Sequence, residues 1–167
     1  MSAQGISKSG DSAEELFRQL TGATKAPTAA LGDAVLCDHH VEVKKASSKT
    51  LNQVRAVKYI PLVAYHVDEA RWYVVPANEI VRQCARKARG QHTENPFESA
   101  TLSLTNLAAC AVADPTQLRE RVYAAIEEAA RHPELKALME RVLRESQELA
   151  ARSVAEARKL LVEPGLS

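Results

Sequence analysis

Hydrophobic and polar positions change their period several times along this chain of 167 residues. Residues 1–10 are polar and are expected to form a disordered tail. Asp11 or Ser12 can cap a helix. Apolar side chains then recur at helical spacing at Leu16, Phe17 and Leu20. Gly22 follows, a residue type that commonly ends helices. The first ordered element is therefore predicted to be a helix that ends near Gly22.

Strand-like alternation of apolar and polar residues comes next. It predicts two strands over 33–37 and 41–46, joined by a turn at Cys37–His40. Two further strands, rich in β-branched and aromatic residues, are predicted over 60–67 and 71–75. The first half of the chain thus supplies the strands of a sheet.

Helices are predicted elsewhere, from apolar residues at helical spacing and from capping residues. They cover 49–58, 77–88, 98–112, 115–130 and 133–161. The last of them carries an apolar stripe made by Leu135, Leu138, Val142 and Leu149.

This order of elements predicts an α/β (α+β) fold, with a mixed central sheet flanked by helices and a helical C-terminal extension. The core is expected at 11–97 and the extension at 98–167.

Composition and charge are those of an ordinary globular protein, with 46% hydrophobic and 26% charged residues. No apolar stretch approaches the roughly 20 residues of a membrane span, so no membrane partner is expected. The three cysteines have no metal-type or redox-type spacing, which favours free thiols in a reducing cytoplasm. Residues 1–92 hold 13 Lys and Arg against 9 Asp and Glu, and residues 93–167 hold 9 against 12. Contacts with an anionic polymer are therefore expected mainly from the first half.

Three residues of the first predicted strand pair are candidates for a metal-binding catalytic site. Strand alternation places Glu42 and Lys44 on one face, and the turn can fold Asp33 back beside them. Two carboxylates and an ammonium that converge in this way can hold a divalent cation and position a water molecule. Alternatively, Glu42 and Lys44 are only the polar face of an amphipathic strand.

Asp33, Glu42 and Lys44 resemble the acid…(Asp/Glu)-x-Lys motif of the PD-(D/E)xK nuclease superfamily. That superfamily includes most Type II restriction endonucleases and the archaeal-type Holliday junction resolvases. The resemblance covers about residues 10–90, and Gly32 stands where the family usually has proline before the first acid. It implies a restriction-endonuclease-like fold.

The resemblance also implies roles for individual residues. Mg²⁺, with Mn²⁺ as a substitute, would be bound by Asp33, Glu42 and the backbone carbonyl of Val43, and Lys44 would orient or deprotonate the attacking water. Glu14 on the first helix is implied as a further metal ligand, or else is a solvated acid of the first turn.

Gln53 is expected on the helix that follows the motif. There it could position water or phosphate; alternatively, it is an exposed glutamine of the helix. Two groups of residues are expected to contact the DNA, unless they are a solvated basic face and an ordinary polar loop. The first group is Lys45, Lys49, Arg55 and Lys58, and the second is Arg86, Arg89, Gln91, His92 and Asn95.

These features predict a Mg²⁺-dependent endonuclease acting on double-stranded DNA, most like a Type II restriction endonuclease that cleaves a specific sequence. Cleavage of both strands requires two active sites, so a homodimer that uses the C-terminal apolar stripe is expected. The alternatives are a structure-specific nuclease of the junction-resolving or repair type, and a non-catalytic helical protein that binds DNA or a partner through residues 114–161.

Overall fold

A computed structural model describes residues 10–162, with side chains from Ser12 onward. Of the tail predicted at 1–10, residues 1–9 lie outside the described part, as do residues 163–167, and Gly10 already belongs to the first helix. The elements are α1 (Gly10–Thr21), β1 (Thr24–Lys25), β2 (Ala34–Leu36), β3 (His39–Ala46), β4 (Thr50–Val54), β5 (Leu62–His66), β6 (Arg71–Val75), α2 (Ala77–Ala85), β7 (Ala100–Ser103), β8 (Ala111–Val112), α3 (Leu118–Ala130) and α4 (Pro133–Val162).

The main sheet has six strands in the order β1-β2-β3-β5-β6-β8. Its neighbouring strands are antiparallel except for the central pair β3 and β5, which is parallel. The predicted fold class, a mixed sheet flanked by helices with a long C-terminal helix, is confirmed. Within the described residues, no helix combines the length and the apolar character that crossing a membrane requires.

The hairpin between β2 and β3 turns more tightly than predicted. Its turn consists of Cys37 and Asp38, whose φ angles are 45° and 67°, and β3 already begins at His39. Two positive φ angles are typical of the two-residue turn whose twist matches that of the flanking strands. This turn fixes the register, with Ala34 opposite Val41.

Buried side chains form one hydrophobic cluster on each face of the main sheet. Helices α1 and α3 cover the first face, where Phe17 packs near Trp72 and Val122 is fully buried. Leu20, which shares helical spacing with Phe17 and was expected on the same buried face, is instead 38% exposed. The second face packs against α2, a small second sheet and the first half of α4, where Met139 is fully buried.

Two predicted helices are wrong. Residues 49–58 form β4 and a 3₁₀ turn at Ala56–Lys58, and residues 98–112 form β7, a 3₁₀ segment and β8. β4 and β7 pair in the second sheet, with Leu51 opposite Leu102. A bulge between Leu51 and Val54 leaves two exposed residues between two buried ones, and this reproduces the three-residue apolar spacing of a helix.

The boundary predicted at residue 97 falls inside the packed core, because β7 pairs with β4 and β8 pairs with β6. The predicted helix after Pro76 exists but ends at Ala85. The predicted strand 71–75 is confirmed, and so are α3, after the Asp114 cap, and α4.

The apolar stripe of α4 divides into two parts. Leu135, Leu138 and Val142 pack against the chain's own core, whereas Leu149 is 60% exposed. The first part is therefore not a free surface for a second copy, contrary to the prediction.

Candidate active site

Asp33 is held against β3 by both its backbone and its side chain. Its backbone N–H donates to the Val41 carbonyl at 2.9 Å, and its carboxylate accepts a hydrogen bond from the Val43 N–H at 2.8 Å. These bonds place a half-buried carboxylate beside the middle of β3, as the hairpin pattern predicted.

The carboxyl groups of Asp33 and Glu42 lie next to each other. Burial raises the pKa of Asp33 above its usual value, the hydrogen bond from Val43 opposes this, and Glu42 raises the pKa again through its charge and through direct hydrogen-bonding contact. Such a pair of like charges is stabilised by any cation that lies between them.

The Val43 carbonyl belongs to the same edge. Glu42 donates its N–H to the Pro61 carbonyl at 3.0 Å, toward β5, whereas Val43 donates in the other direction, to Asp33. In a strand the N–H and C=O of one residue point to the same side, so the Val43 carbonyl also faces the Asp33 edge. Two carboxylates and a carbonyl are a donor set that suits Mg²⁺, which usually keeps several of its waters.

Glu14 does not join this donor set. Among the residues that the structure describes, no three Asp, Glu, His or Cys side chains are grouped so that they could hold one metal ion. Helix α1 buries Ala13 and Phe17 against the sheet, and Glu14 is only half-buried at the flank of that face. Glu14 is thus not grouped with Asp33 and Glu42 in this arrangement, and its role as a further metal ligand stays a prediction.

A groove of about 180 Å³ lies beside Glu42 and is also lined by Lys44, Gln53, Lys58 and Leu62. Lys44 is half-buried and forms neither a hydrogen bond nor an ion pair with the described part of the chain. Its ammonium group is therefore available to a molecule in the groove, as the shared strand face with Glu42 predicted.

Gln53 reaches the groove from a strand and not from a helix. It lies in the bulge of β4 with a φ of 53°, and its backbone N–H donates to the Gln91 side-chain carbonyl at 2.7 Å. The predicted position near the site is thus right and the predicted element is wrong.

Lys58 was expected to contact DNA, but it binds the site's own carboxylate. Its Nζ lies 3.0 Å from Glu42 Oε2, and only 16% of its side chain is exposed. The 3₁₀ turn ends at Tyr59, whose φ is 48°, and this reversal sets the direction of the chain at Lys58. The sequence carried no sign of this ion pair, since the segment was predicted to be a regular helix.

The remaining basic residues near the motif do not form one cluster. Lys49 pairs with Glu69 at 2.8 Å, beyond the end of β5, while the Arg55 Nε donates to the Glu98 carbonyl at 3.1 Å. Lys45 lies next to Lys44, and both border a polar depression of about 220 Å³. Of the predicted group, Arg55 and Lys58 line the groove, Lys45 borders the neighbouring depression, and Lys49 lies beyond the end of β3.

The loop predicted to recognise DNA packs onto the rim of the groove through the contact between Gln91 and Gln53. A Cβ added at Gly90 would lie 2.5 Å from the Asn95 carbonyl oxygen, so the loop closes tightly on itself there. Asn95 accepts a hydrogen bond from the Phe97 N–H at 2.9 Å. The side chains of Gln91 and Asn95 therefore help to hold the loop in its conformation.

Three other residues of the loop face solvent. Arg86 and His92 are exposed, and Arg89 forms an exposed ion pair of 3.4 Å with Glu94. Exposed pairs of this kind contribute little to stability, so Arg89 can exchange Glu94 for a phosphate.

Comparison with known proteins gives no further identification. A scan against protein-family models and searches of curated proteins and solved structures each found no match to this chain. The case for a nuclease therefore depends on the residues of this site and on their arrangement.

Proposed function

We propose that this protein is a Mg²⁺-dependent endodeoxyribonuclease. One observation carries the proposal: Asp33 and Glu42 converge beside a groove that also contains Lys44. This proximity of the three residue types that resemble the nuclease motif supports the proposal, since an amphipathic strand by itself would not require it.

The side chains divide the work of phosphodiester hydrolysis. Asp33, Glu42 and the Val43 carbonyl would hold the cation, which neutralises phosphate oxygens and makes a bound water more acidic. Lys44, which shares the groove, would orient the attacking water and stabilise the charge that develops on the phosphate. Gln53 lines the same groove and would hydrogen-bond the water or the phosphate.

The substrate we propose is double-stranded DNA, cut at a specific sequence as in Type II restriction. Contacts to the DNA backbone would come from Arg55 in the groove, from Lys45 at the neighbouring depression, and from Arg86, Arg89 and His92 on the loop at the rim. The free cysteines accord with a cytoplasmic enzyme.

A homodimer would supply the two active sites that duplex cleavage needs. Every residue from 147 to 162 of α4 is exposed. Ala150, Val154, Ala157 and Leu161 are spaced four, three and four residues apart, which is the spacing of a coiled-coil seam. We place the dimer contact on this distal seam and not on the proximal stripe that packs into the core.

One observation favours a structure-specific nuclease as the second candidate. Gln91 and Asn95, two of the residues expected to read bases, already form hydrogen bonds inside the protein. A junction-resolving or repair enzyme needs contacts to the backbone more than contacts to base edges.

Incubation of the purified protein with plasmid and genomic DNA, in Mg²⁺ and in chelator, tests the proposal. Discrete fragments that require Mg²⁺ indicate restriction, and nicks or cleavage confined to branched DNA indicate the second candidate. Asp33→Asn should abolish either activity, and Asp38→Asn, in the exposed turn of the same hairpin, is the matched control. Absence of Mg²⁺-dependent cleavage on every substrate would contradict both candidates.

A further inference from the structure

We propose that Lys58 is an internal substitute for the metal cation: its ammonium neutralises the carboxylates of the ion-free site and leaves Glu42 when a divalent ion binds. This inference rests on the proposed function, because it concerns the same site. It assigns to Lys58 a role different from that of Lys44 in the same groove.

The contacts of the two lysines differ. Lys58 Nζ lies 3.0 Å from Glu42 Oε2 in a position that is largely shielded from solvent. Lys44 lines the same groove without a partner in the described part of the chain. Of the two lysines, only Lys58 therefore forms an ion pair with the carboxylates in the absence of an ion.

The carboxylates need such a neutralising charge. Asp33 and Glu42 are neighbouring half-buried carboxylates, and the ammonium of Lys58 lies 3.0 Å from Glu42 Oε2. Without a cation, two adjacent carboxylates in a partly desolvated site are unfavourable. The ammonium of Lys58 reduces that cost in the resting protein.

A divalent ion that approaches Glu42 Oε2 would compete with the Lys58 ammonium, which already lies 3.0 Å from that oxygen. Mg²⁺ binds carboxylate oxygens at about 2.0–2.1 Å and surrounds itself with waters, which need the space beside Glu42 that the ammonium fills. Two cations on one carboxylate oxygen also repel each other. We therefore expect ion binding at this oxygen to displace Lys58.

The groove can accommodate the displaced side chain of Lys58. Lys58 already lines the groove with Lys44 and Gln53, where a phosphate would lie. The neighbouring backbone is anchored because the Tyr59 hydroxyl donates to the Ala129 carbonyl at 3.0 Å, so the flexible lysine stem can swing alone. Lys58 would thus change from a counter-ion of Glu42 to a phosphate contact as the cation enters.

Titration calorimetry with Mn²⁺, without DNA, tests the inference. Lys58→Met should bind Mn²⁺ about tenfold more tightly than the wild type, because the ion no longer competes with an ammonium. Lys44→Met is the matched control, since it removes the same charge from the same groove without breaking an ion pair. The control should change the affinity much less.

The outcomes separate this inference from the proposed function. Equal affinities of Lys58→Met and the wild type, or an equal gain in both variants, would overturn the displacement of Lys58 while the nuclease proposal stands. If neither the wild type nor Lys58→Met binds Mn²⁺, the nuclease proposal is instead overturned. Lys58→Gln, which keeps a polar group of similar reach, provides a second test if Lys58→Met does not fold, and it should also bind Mn²⁺ more tightly.

Discussion

The two segments that build the candidate site reach it by different physical routes. The β2–β3 hairpin places Asp33 beside Glu42 through a tight turn and through hydrogen bonds within about one strand length. The β4 segment places Gln53 and Lys58 only because β4 pairs with β7, far away in the sequence. The carboxylates are thus positioned locally, and their neighbours Gln53 and Lys58 are positioned by the tertiary structure.

The bonds that hold the two segments differ accordingly. The hairpin depends on backbone donors such as the Val43 N–H, which hold Asp33 directly. The β4 segment depends on the buried pair Leu51 and Leu102, and on the bond from the Val57 N–H to the Phe97 carbonyl at 3.0 Å. Mutations in the hairpin should therefore mainly lower catalytic activity, and mutations in the β4 segment should mainly lower the free energy of unfolding.

The largest expected effect is on catalysis, from the hairpin. Glu42→Gln should lower Mg²⁺-dependent DNA cleavage by at least about 10²-fold, because it removes a charged metal ligand and leaves Lys58 without its partner. DNA binding, measured by fluorescence anisotropy, should persist. Cleavage within a few-fold of the wild type would show that Glu42 is only part of a polar strand face.

The next effect is on stability, from the β4 segment. Leu102→Ala should lower the free energy of unfolding by about 2–4 kcal/mol, because the leucine is buried opposite Leu51. Urea denaturation measures this value. Thr101→Ala, next to it on β7 and half-buried, is the control and should cost much less. Equal losses in the two variants would contradict the pairing of β4 with β7.

A smaller effect concerns the pH dependence of stability in the metal-free protein. Burial and Glu42 raise the pKa of Asp33 in the folded state, so protonated Asp33 favours folding. That contribution is complete below the usual pKa of an aspartate, about 3.9, and is lost as the pH rises through the raised value.

Asp33→Asn should therefore have a slightly higher Tm than the wild type at pH 7 without metal, and this advantage should vanish at acidic pH. Added Mg²⁺ should raise the Tm of the wild type but not that of the variant. Differential scanning calorimetry gives both values. A lower Tm for Asp33→Asn at pH 7 would show that the Val43 hydrogen bond outweighs burial and the charge of Glu42.

The smallest effect on stability is expected from the distal part of α4, which lies outside both segments. The double variant Val154→Glu and Leu161→Glu should lower the Tm only slightly, because both side chains are exposed in the single chain and lose only the dimer contact. It should convert a dimer to a monomer in analytical ultracentrifugation, and double-strand cuts to nicks. Leu149→Glu with Leu160→Glu, exposed off the seam, should remain dimeric. Dimers of both double variants would exclude the proposed seam.

The comparison also explains which predictions from the sequence succeeded. Alternation in β3 placed Glu42 and Lys44 on one face correctly, because the period of a strand is a local property. The prediction of a helix at 49–58 was wrong because the β4 bulge gives Leu51 and Val54 a helical spacing. The role predicted for Glu14 depends on how α1 packs on the sheet, which a local pattern does not contain.

The sequence by itself determined the strand pair that carries Asp33, Glu42 and Lys44, since turn chemistry and alternation act over a few residues. Only the tertiary structure decided that Lys58 binds Glu42 and that the proximal stripe of α4 is buried. Those contacts join elements that are distant in the chain, and a local pattern contains no information about which distant surface will cover it.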